Sequence, residues 1–154
     1  MIELGPFTRQ QYEAWLPGSI ADYAAQHVKS GRWSADEAAA KAREEFMTLL
    51  PQGLDTPDHR FFSIVRSSDR AAVGMIWIQR GRAPGRAFIF NLEIFKPYRR
   101  KGYAEEAMRA LESEVRRMGD SAIGLHVFGD NAPARSLYKK LGYTETNVNM
   151  VKRL

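Results

Sequence analysis

Apolar and polar positions follow two periods along this chain. The clearest is helical. Ala104, Ala107, Met108, Leu111, Val115 and Met118 recur at three- and four-residue spacing and form one apolar stripe. Glu105 with Arg109, and Glu112 with Arg116, are i,i+4 ion pairs on the opposite face. Two more helices are marked at their starts. Thr8 with Gln11 resembles a capping box, and helical character runs from there to about Lys29, with Pro17-Gly18 expected to kink or break it. Ser34 with Glu37 is a second capping box, and the Ala-rich run after it reaches about Leu50 before Pro51 and Gly53 stop it. A loop, Asp55 to His59, then leads into the second period, that of strands. Arg60–Ser67, Val73–Arg80 and Ala87–Phe95 read as three strands, separated by a turn at Ser68-Asp69-Arg70 and a hairpin loop over Gly81–Arg86. Ser121–Phe128 reads as a fourth strand and Asn131–Leu141 as a short helix. Tyr143–Leu154 reads as a final strand, or two short ones with a turn near Asn147.

The order is helix, helix, three strands, helix, strand, helix, strand. Short links make the first three strands an antiparallel meander, and the strand-helix-strand unit from Ala87 to Phe128 implies a parallel pair. The expected fold class is therefore α/β, an α+β mixed sheet with an N-terminal helix pair and flanking helices. No repeat or linker divides the chain, so residues 1–154 read as a single domain with a core of its own.

Composition narrows the class. Hydrophobic residues make up 44% and charged residues 27%, the balance of a globular chain. No apolar run is long enough to span a bilayer, and Met1-Ile2-Glu3-Leu4 lacks the pattern of a signal peptide. Zero cysteines exclude disulfides, thiolate zinc sites and a cysteine acyl-enzyme, and fit a cytoplasmic protein. The net charge of +5 permits a polyanionic partner, either nucleic acid or a phosphorylated cofactor.

The candidate chemistry starts at Lys96-Pro97-Tyr98-Arg99-Arg100-Lys101-Gly102-Tyr103-Ala104, between the third strand and the stripe-bearing helix. Four of the six residues from Lys96 to Lys101 are cationic, and small residues stand at Gly102 and Ala104. Free amides at a helix start, together with the helix dipole, favour a pyrophosphate. Read blandly, the same residues are a solvated basic turn.

Arg99-x-x-Gly102-x-Ala104 resembles the acyl-CoA pyrophosphate loop of the GNAT acetyltransferase superfamily. A second segment carries the resemblance further: Leu125-His126-Val127-Phe128-Gly129-Asp130-Asn131, then Ala134, Leu137-Tyr138 and Gly142-Tyr143. It is similar to the family's strand, Asn and Leu-Tyr helix. The likeness covers nearly the whole chain. Arg100 stands where the family often has Gly, and Pro97 supplies no amide.

The resemblance implies direct acetyl transfer from acetyl-CoA to a primary amine. Arg99, Arg100, Lys101, Gly102, Tyr103, Ala104 and Glu105 would hold the pyrophosphate. Leu92, Glu93 and Ile94 would pair with the pantetheine arm, and an amide there would polarise the thioester carbonyl. Tyr138 occupies the general-acid position, and Asn131 both caps its helix and matches a cofactor contact. For the general base three candidates stand open: His126, Glu93, which shares a strand face with Asn91, or a water chain. Each has a plain structural alternative: a core tyrosine, a hydrogen-bonded histidine, a cross-strand salt bridge.

His27 and His59 lack metal-ligand spacing, so no metal is expected. Trp15, Trp33 and Trp77 are candidates to line a substrate groove, with core packing the alternative for Trp77 and a staple for the helix that starts at Ser34 the alternative for Trp33. The acceptor's identity is open, although Asp55 and Asp58 hint at a cation. Membrane and nucleic-acid partners are not expected, and the oligomeric state, a homodimer included, is open. Rival readings are a non-catalytic acyl-CoA-binding or regulatory domain, and a basic nucleic-acid-binding protein using Arg80, Arg82, Arg86 and Lys96–Lys101.

Overall fold

A computed structural model describes residues 1–154. It divides into two compact units, Met1–Gly124 and Leu125–Leu154.

The first unit is a sheet with helices on its faces. Its elements are β1 (Ile2–Pro6), α1 (Arg9–Lys29), α2 (Ala35–Leu49), β2 (His59–Arg66), β3 (Ala72–Ala83), β4 (Arg86–Ile94) and α3 (Tyr103–Arg117). The last strand, β5 (Ala122–Leu125), ends one residue into the second unit. The strands lie in the order β1-β2-β3-β4-β5. The pairs β1/β2, β2/β3 and β3/β4 are antiparallel. β5 joins β4 only after the α3 crossover, the long connection that a parallel pair requires.

Alternation along the strands separates two cores. Phe61, Met75 and Trp77 face α1 and α2 and pack with Phe7, Tyr12, Phe46 and Leu50. Ile64, Ile76 and Ile78 are fully buried on the other face, and α3 buries Ala107, Met108, Leu111 and Val115 from the stripe read in the sequence. The Glu105–Arg109 pair forms at 3.1 Å, while Arg117 pairs with Glu114.

Both capping boxes close: Gln11 N donates to Thr8 Oγ1 at 3.1 Å, and Ser34 N donates to Glu37 Oε1 at 3.2 Å. Three readings of the sequence are corrected in these elements. Helix α1 runs unbroken through Pro17. Proline removes one bond, the one to the Glu13 carbonyl, but Glu13, Pro17 and Gly18 all face water while Tyr12, Trp15, Leu16, Ile20 and Tyr23 hold the other face in the core. Strand β1 was not anticipated, because Gly5 and Pro6 are poor strand formers; it forms as an edge, with Ile2 opposite Arg66 and Pro6 opposite Phe62. The hairpin between β3 and β4 is tighter than Gly81–Arg86, since Ala83 pairs with Arg86 and only Pro84-Gly85 turns.

The second unit contains α4 (Ala132–Lys140). Its start is capped by Asn131, whose Oδ1 accepts from Ala134 N at 3.3 Å. Residues 143–154 form no strand. Strand propensity is expressed only through pairing and a buried face, and Val148, Met150, Val151 and Leu154 are exposed.

His59, read as a loop residue, opens β2 and is 4% exposed. Trp77 Nε1 donates to its Nδ1 at 2.9 Å, which requires that nitrogen to be unprotonated. Burial lowers the His59 pKa, with the Asp58 carboxylate opposing in part. A histidine whose folded pKa is depressed stabilises the fold above its unfolded pKa of about 6.5, and that contribution is lost as pH falls through the folded value. The melting temperature should therefore drop between about pH 7 and pH 5. In His59→Phe that slope should flatten, and the unpaired indole N–H should lower stability by about 1–3 kcal/mol at neutral pH. Thermal unfolding followed across pH for both proteins checks this; an equal slope in the two would assign it elsewhere.

Candidate active site

The open half of β4 is the first component. β4 pairs with β3 along its length, Glu93 opposite Met75 and Ile94 opposite Gly74. On its other edge, β5 is four residues long and begins beside Gly85, whose carbonyl accepts from Ser121 N at 2.8 Å. β5 therefore accompanies only the start of β4. The edge at Leu92, Glu93 and Ile94 has no neighbouring strand, which leaves backbone groups for an extended amide-bearing arm.

Gly74 makes the end of β4 what it is. A Cβ at position 74 would lie 2.2 Å from the Glu93 carbonyl oxygen, so only glycine allows the two strands to approach this closely. A bulge adjusts the side-chain positions. Trp77 faces Asn91 and Ile78 faces Ile89, so Phe90 is an extra residue and its ring stacks on Trp77 at 4.7 Å. Asn91 and Glu93 then share the face that carries Trp77 and Met75, as alternation predicts.

Glu93 is half-buried on that face. Its carboxyl is raised above the ordinary value, first by loss of solvent and then by the nearby Asp22 carboxylate of α1, with Arg99 pulling the other way. A carboxylate moved upward in this way is a better proton acceptor near neutral pH than a solvated one.

The basic turn is the second component, and it is tied to the first. Arg99 Nε donates to Ile94 O at 2.8 Å. Lys96–Tyr98 form a single 3-10 turn, Arg100 takes φ 63° and Gly102 φ 82°, and α3 starts at Tyr103. No side chain caps α3. The first bond inside the helix is Glu106 N to Gly102 O, so the Tyr103 and Ala104 amides before it have no helical acceptor. Arg100 and Lys101 are exposed beside them. This is a coherent anion cradle: free amides, the positive end of a helix dipole and two cations.

Sequence reasoning missed the residue that braces this turn. Arg66 on β2 donates from Nη1 to Tyr103 Oη at 3.2 Å and lies 5.4 Å from the Tyr98 ring centre. Its Nε and Nη2 grip both oxygens of Asp69 at 3.0 and 2.6 Å, and this holds the Asp69 carboxyl down at about 2. No local signal in the sequence marks Arg66 as a brace, because the turn residues it touches, Tyr98 and Tyr103, are more than thirty positions away.

In the second unit, Tyr138 lies on α4, half-buried, with the Tyr143 ring 5.6 Å away. Burial raises its pKa, which keeps the phenol protonated at neutral pH. His126 stands one residue beyond β5 rather than within a strand, exposed, with its ring edge-on to Phe128 at 5.1 Å. The strand stops at Leu125 and not at Phe128. Asp55, which hinted at a cationic acceptor, is occupied by Arg9 at 2.5 Å.

No helix is long and apolar enough to cross a membrane. A family model described as the acetyltransferase (GNAT) family matches residues 23–143. YycN of Bacillus subtilis, an uncharacterized N-acetyltransferase, is 37% identical over 99% of each chain. Its crystal structure superposes with a TM-score of 0.93, covering 100% of this chain and 99% of that one. YdgE of the same organism, also an uncharacterized N-acetyltransferase, is 31% identical over 98% of this chain and 97% of its own. PaiA N-acetyltransferase of Thermoplasma acidophilum, solved in complex with coenzyme A, shares the fold at 18% identity, with a TM-score of 0.68 over 97% and 93% of the two chains. The mixed sheet with its helix pair over one face thus has its counterpart in a known enzyme family: this chain belongs to the GNAT acetyltransferases and is an N-acetyltransferase.

Proposed function

We propose that the chain moves an acetyl group from acetyl-CoA directly to a primary amine, and that residues 1–154 act as one acetyltransferase domain. The observation that carries this is the uncapped start of α3, flanked by Arg100 and Lys101 and tied through Arg99 to the unpaired end of β4. The residues present fit the cofactor. The amides of Arg100 to Glu105 and the cations beside them suit a pyrophosphate. The free edge at Leu92, Glu93 and Ile94 suits the pantetheine arm. Acetyl-CoA supplies the activated acyl group as a thioester.

The chain's own groups then manage two protons. An alkyl ammonium, with a pKa of about 10.4, has no lone pair and must be deprotonated before it attacks. Glu93, raised by burial, is favoured for that role over exposed His126. Tyr138 is the proton donor to the departing thiolate. Giving a proton from a phenol of pKa about 10 to a thiolate of about 8.5 is uphill by roughly 2 kcal/mol at ordinary values; burial raises the Tyr138 phenol further, and removal of the thiolate from solvent raises its basicity in the same sense. Asn131 caps the helix that carries Tyr138 and, in this proposal, is also a cofactor contact.

Calorimetric titration with acetyl-CoA, beside CoA and ATP, tests the cofactor. Micromolar binding is expected, and Gly102→Asp should abolish it by forcing a side chain at positive φ and placing an anion in the cradle; unchanged affinity would sink the assignment. Arg66→Ala should weaken acetyl-CoA binding about three- to tenfold by releasing Tyr98 and Tyr103, with kcat nearly unchanged. Tyr138→Phe should do the opposite: kcat lower by about a hundredfold or more at nearly constant cofactor affinity. A wild-type kcat in that variant would make Tyr138 structural.

A further inference from the structure

The face of the sheet that carries Glu93 also holds a groove of about 660 Å³ between α1, α2, β3 and β4, a size that accommodates a small organic ligand. Two elements connect it to Glu93. Helix α1 brings Asp22 near Glu93 and Tyr23 to the groove, and β4 contributes both Glu93 and, three residues earlier, Phe90. Tyr23, Trp33 and Phe90 supply aromatic walls.

The charges in the groove are unequally occupied. Glu45 is fully engaged: Tyr23 Oη donates to one of its oxygens at 2.5 Å and Arg32 Nη2 to the other at 2.6 Å. Lys41 is paired with Glu37 at 3.3 Å. Arg82 has no carboxylate partner. Its guanidinium is held over two rings of the neighbouring strand, 4.3 Å from the Phe88 centre and 5.3 Å from the Phe90 centre. Stacking of that kind fixes the plane of the fork and leaves its N–H edge free for an acceptor in that plane.

We infer that Arg82 anchors a carboxylate of the acceptor, so that the acceptor is an amino-terminated peptide or similar amine acid rather than a simple amine. The proposal rests on acetyl transfer at Glu93. A planar guanidinium matches a carboxylate or a phosphate. Glu44, unpaired on the same groove, adds a negative charge that disfavours a doubly charged phosphate more than a singly charged carboxylate. The length of the acceptor follows from the strand. Phe90 and Phe88, the rings that hold Arg82, precede Glu93 by three and five steps of β4, on the order of 10 and 16 Å at about 3.3 Å per residue. An α-amino acid is too short to place its amine at Glu93 and its carboxylate at Arg82. An extended tripeptide spans about the shorter distance and a pentapeptide about the longer.

The test is a series of glycine peptides, one to five residues long, each as the free acid and as the C-terminal amide, with CoA release followed in wild type and Arg82→Gln. The wild type should prefer the acids, with kcat/KM highest between the tripeptide and the pentapeptide and about ten- to a hundredfold above that for the matching amide. In Arg82→Gln the preference for acid over amide should disappear. Binding of N-acetyl-triglycine and its amide, read by tryptophan fluorescence, gives an answer that needs no turnover. Acid-selective binding lost in Arg82→Gln upholds the anchor even if no peptide is acetylated, and the transfer reading would then fall alone. Acids and amides used or bound equally by the wild type overturn the anchor while leaving acetyl transfer intact, as does a phosphonate analogue preferred over the carboxylate.

Discussion

On the face of the sheet covered by α1 and α2, four elements meet the indole of Trp77. Trp15 of α1 lies 5.8 Å from it edge-on, Phe46 of α2 5.6 Å, Phe61 of β2 5.4 Å and Phe90 of β4 4.7 Å. Its one polar atom is satisfied by His59. Aromatic contacts of this kind add to area burial and are directional, so Trp77 fixes positions as well as contributing cohesion. Phe90 occupies its bulge because there is an indole to stack on, and that bulge sets which side chains follow on β4. The orientation of Asn91 and Glu93 towards α1 thus depends on the packing of Phe90 against Trp77.

The two halves of the proposed cofactor site rest on opposite electrostatic conditions. At the turn, cations and free amides stay in water, ready for charge brought by a ligand. At Glu93, a carboxylate is partly removed from water and set near a second acid. The first arrangement gives up side-chain capping at the start of a helix; the second gives up the solvation of an anion. A structure optimised only for stability would cap α3 with Ser or Asp and leave position 93 neutral.

Those departures explain how far the sequence could be read. Helix α3 was legible because its stripe is long and unbroken, and the basic turn because it interrupts two strong patterns. The positions of Thr8, Ser34 and Asn131 at helix starts were legible because capping is local. Helix α1 through Pro17 was not, because the aromatic block that overrides proline is assembled from distant residues. Strand β1 was hidden by Gly5 and Pro6, which only an edge tolerates. Arg66 carried no signal, and Arg82 stood out only as one of a run of basic residues; what each touches across the sheet is not reported by spacing along the chain. Tyr143–Leu154 has the composition of a strand, but composition without a partner is not pairing.

Gly74 shows a separate kind of necessity. Its missing side chain is demanded by the backbone of the facing strand and by nothing the protein does with a substrate. Random replacement at this position would therefore yield material lost during expression, whatever the donor or acceptor used in the screen. A survey that ranked residues by intolerance would place Gly74 beside the groups that handle protons, and would be reading carpentry as chemistry.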